Sequence, residues 1–204
     1  DPSAVYVEDQ VTVGAGTLLL PGTILRGRTV IGENCLIGPQ AMLTDCVVEE
    51  GCTVNASQCE ESTIERDCQI GPYTHIRPGC VVGEGSKIGA FVQLKNCNLG
   101  RGTKMAHLTY VGDSDVGEDC NFGCGTVTCN YDGFKKHRTT IGSHVFVGCN
   151  TNFVAPVTVE DGAFIAAGTT VTGHVPEDAM AVGRVRQEVK PGWAAENRKK
   201  KGNL

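Results

Sequence analysis

Three features of the sequence predict an all-β fold, a parallel β-helix that winds as a triangular prism. The first is a period of six in the apolar residues, and the second is the glycine that commonly follows them, as in Ile31-Gly32. The third is that this pattern persists through most of the chain, with slips of one residue and one larger break. One uninterrupted run consists of Ile64, Ile70, Ile76, Val82, Ile88 and Leu94.

A period of six fits a short strand followed by a tight turn. An apolar stripe on an α-helix would drift around the helix at this interval, because six is not a multiple of 3.6. Three strand-and-turn units close one coil of about 18 residues, and coils stacked about 4.8 Å apart pair every strand with its copies above and below. In the known hexapeptide-repeat form the crossovers are left-handed, so we expect a left-handed parallel β-helix of about nine coils.

The repeat also divides the chain into segments. Thirteen positions separate Thr128 from Ile141 where the repeat needs six, which predicts an extruded loop within 129–140. Loops that leave a solenoid often carry function. The repeat stops after Pro176. We therefore expect an entry segment over 1–12, the β-helix domain over 13–176, and a C-terminal segment over 177–204 with a basic tail at 198–201.

Composition excludes several classes of partner. The net charge is −5, from 18 basic and 23 acidic residues, and this disfavours nucleic-acid binding through bulk charge. No apolar run approaches the roughly 18 residues of a membrane span, and the start of the chain lacks a signal segment. We therefore expect no membrane partner and a cytoplasmic location. Asp1 in place of a methionine is typical of part of a longer chain.

The cysteine content agrees with an intracellular location. The chain has 11 cysteines, an odd and high number, and we interpret them as reduced thiols that mostly serve as small buried side chains. Cys120, Cys124 and Cys129 resemble a zinc-binding set, but they lack a C-x-x-C pair. We expect no metal site.

Two basic residues occupy the same place in successive coils. Arg77 follows Ile76 and Lys95 follows Leu94, one coil later. Two cations about 5 Å apart repel by about 3 kcal/mol at an effective dielectric near 20, unless their head groups splay. A bound anion, most simply a phosphate, would explain the pair. Two splayed surface cations are the alternative.

A second column is predicted on another side of the prism. His107, Cys124, Cys149 and Ala167 take equivalent positions in four successive coils once the slips and the loop are counted. A histidine followed by three small residues describes a reactive group at the end of a smooth groove that could hold an extended ligand. A structural or surface histidine is the alternative.

Four short motifs, taken together with these patterns, indicate a protein family. They are Ile76-Arg-Pro-Gly79, His107-Leu-Thr-Tyr-Val-Gly-Asp113, Thr128-Cys-Asn-Tyr-Asp-Gly133 and Ala155-Pro-Val-Thr158. With them, the chain resembles the C-terminal acetyltransferase domain of the bifunctional bacterial N-acetylglucosamine-1-phosphate uridylyltransferase/glucosamine-1-phosphate acetyltransferase. The resemblance covers nearly the whole chain, and nothing in the sequence resembles the N-terminal nucleotidyl-transfer domain of that family.

The resemblance implies an activity and a set of site residues. The activity is transfer of an acetyl group from acetyl-CoA, a co-substrate and not a tightly bound cofactor, to the amino group of glucosamine 1-phosphate, within UDP-N-acetylglucosamine biosynthesis. By motif match, His107 is the general base. The residues implied for the sugar phosphate are Arg77, Lys95, Tyr110, Asn121, Asn130 and Lys136. Those implied for acetyl-CoA are Cys124, Asn130, Tyr131, Cys149, Ala167 and Arg184. The family is trimeric, so the resemblance implies a homotrimer with active sites between prisms, which a neighbour's loop 129–140 would close.

The chemistry agrees with a histidine base. A sugar amine titrates near the α-amino value of about 8, and an imidazole near 6.5, so the proton transfer is uphill by only about 2 kcal/mol. Transfer is direct if both substrates bind together, so we interpret Cys124 and Cys149 as spacers and not as nucleophiles. Gln93 stands where the family usually has a glutamate that is a candidate for orienting the histidine. Trp193 resembles a family residue that covers the CoA site.

Three other functions remain open on the sequence alone. One is a different hexapeptide-repeat acyltransferase that acts on serine, a sugar nucleotide or a xenobiotic. Another is a zinc hydratase on the same fold, although the five histidines show no common register. The third is a non-catalytic β-helix scaffold.

Overall fold

The computed structural model of the protein describes residues 1–200 and Gly202, and in this part of the chain 27 short strands form the three faces of a prism. Residues 201, 203 and 204 lie outside the described residues, so the predicted basic tail is described only as far as Lys200. A 3-10 turn, Pro2–Ala4, precedes the strands, and one α-helix, α1 (Trp193–Lys200), follows them. The fold class is confirmed as a parallel β-solenoid.

Each face is a ladder of strands from successive coils. Face 1 is a sheet of ten strands: β3 (Leu18–Leu19), β6 (Leu36–Ile37), β9 (Thr53–Val54), β12 (Gln69–Ile70), β15 (Lys87–Ala90), β17 (Lys104–His107), β19 (Asn121–Phe122), β22 (Phe146–Val147), β25 (Phe164–Ile165) and β27 (Met180–Ala181). Face 2 contains β1 (Tyr6–Val7), β4 (Ile24–Arg26), β7 (Met42–Thr44), β10 (Gln58–Glu60), β13 (His75–Ile76), β16 (Gln93–Leu99), β18 (Tyr110–Val116), β20 (Val127–Cys129), β23 (Asn152–Val154) and β26 (Thr170–Val171). Face 3 contains β2 (Thr12–Val13), β5 (Val30–Ile31), β8 (Val47–Val48), β11 (Thr63–Ile64), β14 (Val81–Val82), β21 (Thr139–Ile141), β24 (Val157–Val159) and the second halves of β16 and β18.

The six-residue period arises because every sixth side chain points into the prism, where it stacks on its counterparts in the coils above and below. Ile70 pairs with Ile88, Ile88 with Met105, and Met105 with Phe122, all in parallel register, and each is at most 3% exposed. Burial of an apolar side chain of this size contributes about 1.5–3 kcal/mol, so the stacked column holds the coils together.

Several coils differ in length from the ideal repeat of 18 residues. Leu25 pairs with Leu43 at a separation of 18 residues, but Leu43 pairs with Cys59, only 16 residues later. The paired strands also begin at Tyr6 and end at Ala181, outside the expected bounds of 13–176. Nine strands of face 1 lie within those bounds, as expected, and β27 beyond Pro176 is the tenth.

Most cysteines belong to the interior. All 11 are free thiols; Cys124 is half-buried and Cys129 and Cys149 are exposed. Burial raises the pKa of Cys46 and of Cys120 to about 11, which keeps these thiols protonated. The buried cysteines are Cys35, Cys46, Cys52, Cys59, Cys68, Cys80, Cys97 and Cys120.

The helix α1 is peripheral to the prism. None of its residues is buried, and Trp193 at its start is 59% exposed. Within the described residues, no helix combines the length and the hydropathy that crossing a membrane would require.

Candidate active site

The corner between face 2 and face 3 carries three cations, which we call the cationic corner: Arg77, Lys95 and Lys136. Ile76 pairs with Leu94, and the Arg77 N–H donates to the Leu94 carbonyl at 2.9 Å, so Arg77 and Lys95 stack as predicted. The pKa of Lys95 lies below its usual value, first because of its side-chain contact with Lys136, and then because of desolvation and the charges of Lys136 and Arg77. Three cations this close are a candidate site for an anion.

A buried carboxylate, Asp113, faces this corner, and sequence reasoning did not single it out. Asp113 is 7% exposed and accepts hydrogen bonds from Asn96 Nδ2, at 2.7 Å, and from Asn130 Nδ2. Burial opposes its charge, but these two donors and the nearby Lys95 and Lys136 hold its pKa below the usual value. The only signal in the sequence was its place as the last residue of the His107–Asp113 motif.

Tyr110 and Asn130 lie beside this carboxylate. The Asn130 Nδ2 atom is 3.4 Å from the Tyr110 hydroxyl, and Asn130 is 8% exposed. Gly112 makes the arrangement possible, because a Cβ there would overlap the Tyr110 hydroxyl and lie 2.9 Å from Asn130 Nδ2. The structure therefore brings Tyr110 and Asn130 to the cationic corner.

The extruded loop is folded on itself. Since β20 ends at Cys129 and β21 begins at Thr139, the loop covers 130–138 and not all of 129–140. Asp132 contacts His137 Nε2 at 2.6 Å and accepts the backbone N–H groups of Phe134 and Lys135, both at 2.8 Å. The Lys135 N–H, then His137, then the Phe134 N–H lower the pKa of Asp132 to about 2.

The loop is tied to its own chain through Arg138. The guanidinium donates to both carboxylate oxygens of Asp115 and to the carbonyls of Asn96 and Ser114, the last two at 3.2 Å. We call these hydrogen bonds between Arg138 and the prism the clamp. The clamp holds Lys136 beside Lys95 of the same chain. Within one chain the loop therefore lies over its own cationic corner, and closure of the site by a neighbour's loop stays a prediction.

The residues of the predicted groove form a column along the corner between face 1 and face 2. His107 ends β17, and the pairing of Phe122 with Val147 and of Val147 with Ile165 places Cys124, Cys149 and Ala167 above it, one coil apart. His107, Cys149 and Ala167 are exposed, and Cys124 is half-buried.

The floor of this groove has no room for larger side chains. A Cβ at Gly148 would overlap the backbone nitrogen of Ala167, so the coils stack in direct contact here. Arg184 lies at the far end, with its Cδ atom 3.5 Å from the Cβ position of Gly168. The column thus runs from an imidazole, past small side chains, to a guanidinium, as the predicted groove requires.

A single chain does not bring His107 to the cationic corner. Gly112, the pairing partner of Lys95, comes five residues after His107 along face 2, a separation on the order of 15 Å. Asn121 is also remote from Tyr110, because it lies on face 1 between Lys104 and Phe146. The predicted site residues therefore form two groups on one prism.

Gln93 contacts a histidine of the coil below. It stacks on face 2 between His75 and Tyr110, and its Nε2 atom is 3.5 Å from His75 Nδ1. Within one chain, the side chain at position 93 therefore contacts His75 and does not orient His107.

Tyr131 is 60% exposed at the tip of the loop, where its hydroxyl donates to the Gly133 carbonyl at 2.7 Å.

No group of three histidine, cysteine, aspartate or glutamate side chains comes together as a metal ion would require, over residues 1–200 and Gly202.

Comparisons with known proteins agree with this architecture. The chain matches the family model described as bacterial transferase hexapeptide (six repeats) over residues 10–45, 61–96 and 138–173. It is 48% identical over 194 residues to the protein named Bifunctional protein GlmU of Brevibacillus brevis, and 49% identical over 204 residues to that of Caldanaerobacter subterraneus. These matches cover 95% and 100% of this chain but 42% and 44% of the relatives, so the chain spans less than half of their length.

A solved structure supports the fold alone. The UDP-N-acetylglucosamine acyltransferase of Francisella novicida aligns with a TM-score of 0.54 at 16% identity, over 99% of this chain and 73% of that one.

Proposed function

Because the chain belongs to the bacterial hexapeptide-repeat transferases, we propose that it transfers an acetyl group from acetyl-CoA to the amino group of glucosamine 1-phosphate. The product is N-acetylglucosamine 1-phosphate, a precursor of UDP-N-acetylglucosamine. The relatives named Bifunctional protein GlmU and the motifs around His107 and Asn130 support this acceptor.

The cationic corner is the observation that carries the proposal. Arg77, Lys95 and Lys136 bring three positive charges, and Asp113 offsets one of them. A phosphate monoester carries about −1.5 to −2 charges at neutral pH, which balances the remainder. An acceptor without a phosphate, such as serine, would leave the two remaining positive charges without a counterion. The corner therefore favours a phosphorylated acceptor over the other acyltransferase substrates.

His107 is the candidate general base. The amine nitrogen attacks the thioester carbon, and His107 accepts the proton that this nitrogen loses as the C–N bond forms. The backbone N–H of Cys124 is the candidate donor to the oxyanion of the tetrahedral intermediate, since those of Gly123 and Gly125 donate to the carbonyls of Val147 and Leu108. When that intermediate collapses, the C–S bond breaks and CoA leaves as the thiolate, which then takes up a proton. No acyl-enzyme forms, so Cys124 and Cys149 serve as the smooth wall of the groove.

The groove is the candidate site for acetyl-CoA. An extended ligand lying over Cys124, Cys149 and Ala167 would place its thioester near His107 and its phosphates near Arg184. The exposed Tyr131 is available for a further contact with this ligand, and Trp193 for covering it.

We propose that the complete site lies between two prisms of a homotrimer. One protomer supplies the cationic corner with Tyr110 and Asn130, and its neighbour supplies His107 and Asn121. The separation on the order of 15 Å along face 2 supports this arrangement, because glucosamine 1-phosphate is too short to reach both groups of one chain.

The test is CoA release by the purified chain with glucosamine 1-phosphate, glucosamine or serine as acceptor. We expect release with glucosamine 1-phosphate and an N-acetylated product by mass spectrometry. The Arg77→Ala variant should raise the KM for the sugar phosphate and leave that for acetyl-CoA unchanged. Release with serine alone would favour another acyltransferase, and no release with any acceptor would favour a scaffold. A metal assay on the same sample tests the zinc hydratase alternative.

A further inference from the structure

We propose that Asp113 is a positioning residue of the acceptor site, and that its carboxylate fixes the side-chain amide of Asn130 with the amide oxygen turned toward the sugar amine. The inference rests on the proposed function, because the amine is that of glucosamine 1-phosphate. This buried carboxylate is not among the expected phosphate contacts, and it is not the expected general base. The proposal gives it a role of its own.

The orientation follows from the chemistry of the two groups. The two oxygens of Asp113 face Asn96 Nδ2, at 2.7 Å, and a side-chain amide atom of Asn130. An ionised carboxylate only accepts hydrogen bonds, so the atom of Asn130 that faces it must be the NH2 group. The amide oxygen then points away from Asp113 and is free to accept from a ligand.

The polar contacts leave little freedom for a flip of this amide. The Asn130 Nδ2 atom lies between Asp113 and the Tyr110 hydroxyl, 3.4 Å away, and Asn130 is 8% exposed. A flipped amide would place its oxygen against the carboxylate, where two acceptors repel. An amine that attacks with its lone pair needs an acceptor for one of its N–H groups, and the fixed Asn130 oxygen provides one.

The negative charge of Asp113 distinguishes a positioning role from direct binding of the phosphate. Its carboxylate lies near Lys95 and Lys136 and offsets part of their charge. Removal of the carboxylate makes the cationic corner more positive, so the affinity for a phosphate dianion is not expected to fall. A loss of turnover without a loss of phosphate affinity would therefore identify an effect on the amide.

The same corner of the prism offers suitable variants and a control. Asp113 has a left-handed backbone with φ of 48°, and Asn96 and Gly79, at 47° and 79°, precede it in the two coils below. Glycine is thus compatible with this corner, and Asp113→Gly removes the carboxylate with little backbone strain. Asp45, with φ of 50°, lies in the same corner four coils away and is exposed, so Asp45→Asn is a matched control.

The first experiment is steady-state kinetics of CoA release by the wild-type protein and the Asp113→Asn, Asp113→Gly and Asp45→Asn variants. For both Asp113 variants we expect kcat to fall roughly 10–100-fold, with the KM for glucosamine 1-phosphate unchanged or lower. In an Asn130→Ala background, Asp113→Gly should reduce kcat little further, because the two residues act as a unit. Asp45→Asn should match the wild type.

The second experiment does not depend on turnover. The side-chain NH2 protons of Asn130 should show a shifted, exchange-protected NMR signal in the wild type and in Asp45→Asn. The protection should be lost in Asp113→Gly. An unprotected wild-type signal would overturn the assigned orientation.

The remaining outcomes separate the two proposals. A wild-type protein without turnover on glucosamine 1-phosphate would overturn the proposed function and the acceptor assigned to Asn130. Wild-type turnover with unchanged kcat in the Asp113 variants would overturn the role of Asp113 alone. Loss of folding in both Asp113 variants would overturn it in favour of a purely structural role.

Discussion

Arg138 at the end of the extruded loop holds Asp115 on strand β18 through two guanidinium nitrogens, Nε and Nη2. The same guanidinium donates to two backbone carbonyls of the prism, those of Asn96 and Ser114. This pair therefore decides where the loop lies and, with it, the position of Lys136 beside Lys95.

Loss of the clamp is expected to weaken the binding of the sugar phosphate. In Arg138→Ala the loop is released and Lys136 leaves the cationic corner, so we expect the KM for glucosamine 1-phosphate to rise about tenfold, the effect of about 1.4 kcal/mol. Arg101→Ala is the matched control, since Arg101 forms an exposed pair with Glu118, at 2.8 Å, on another corner. Kinetics and trypsin cleavage after Lys135 and Lys136 measure the change. Equal cleavage in Arg138→Ala and the wild type would contradict the clamp.

The loop is also expected to loosen in acid. The Arg138 guanidinium, against the opposing effect of desolvation, lowers the pKa of Asp115 below its usual value, and that of Asp132 is about 2. Carboxylates with lowered pKa stabilise the folded loop fully above the unfolded value of about 3.9, and this stabilisation is lost as the pH falls toward 2. The Arg138 Nε–H resonance should therefore keep its hydrogen-bonded shift at pH 5 and lose it by about pH 2. A shift unchanged at the lowest pH would argue against the ion pair.

Replacement of His107 tests the general base. His107→Ala should lower kcat by about 10²–10⁴, because the amine loses the group that accepts its proton. His107 is exposed, so the melting temperature should stay close to that of the wild type. His174→Ala, which removes another exposed imidazole, at the C-terminal end of the prism, is the control. Turnover at the wild-type rate in His107→Ala would remove this residue from the mechanism.

The contact between Lys95 and Lys136 predicts a pH dependence of phosphate binding. The pKa of Lys95 is lowered, and Lys136 is the largest cause. As the pH rises, Lys95 loses its charge earlier than an ordinary lysine of about 10.4, so the KM for glucosamine 1-phosphate should begin to rise below that pH. In Lys136→Met the rise should move to higher pH, while the KM at neutral pH is larger. Profiles that coincide would show that the two ammonium groups do not interact.

Mixed oligomers test the site between two prisms. His107→Ala lacks the base, and the double variant Arg77→Ala/Lys95→Ala lacks most of the cationic corner, so each alone should be nearly inactive. After unfolding and joint refolding, about a quarter of the interfaces should combine an intact His107 with an intact corner. Activity should recover to about that fraction of the wild-type value. Mixtures that stay inactive, although mass measurement shows mixed trimers, would place the complete site within one chain.

The stacking of residues from successive coils was predictable because the six-residue period alone determines it. Every inward residue of the run from Ile64 to Leu94 is buried, and from that register the stacking of Arg77 on Lys95 followed directly. The column from His107 to Ala167 followed in the same way once the slips were counted. The tenth strand of face 1 was missed because β27 lies beyond Pro176, where the apolar period of six ends.

Contacts made by amides and carboxylates were not predictable in this way. The sequence left the partner of Gln93 open, and in the structure Gln93 contacts His75 in the coil below. Asp113 attracted no attention in the sequence, although it joins Asn96, Asn130 and the two lysines. Hydrogen bonds of this kind depend on where side chains point at the corners, and a period of six carries no information about that.

The amino-acid sequence by itself determined the solenoid and the columns on its faces, because strands stacked at a constant spacing convert separation along the chain into height. Only the tertiary structure decided the path of residues 130–138 and the place of Lys136. That loop has no repeat of its own, and its position depends on ion pairs and hydrogen bonds to residues more than twenty positions away, such as Asp115. The sequence had already placed the two groups of site residues on different sides of the prism, and the tertiary structure gave their separation, on the order of 15 Å along face 2.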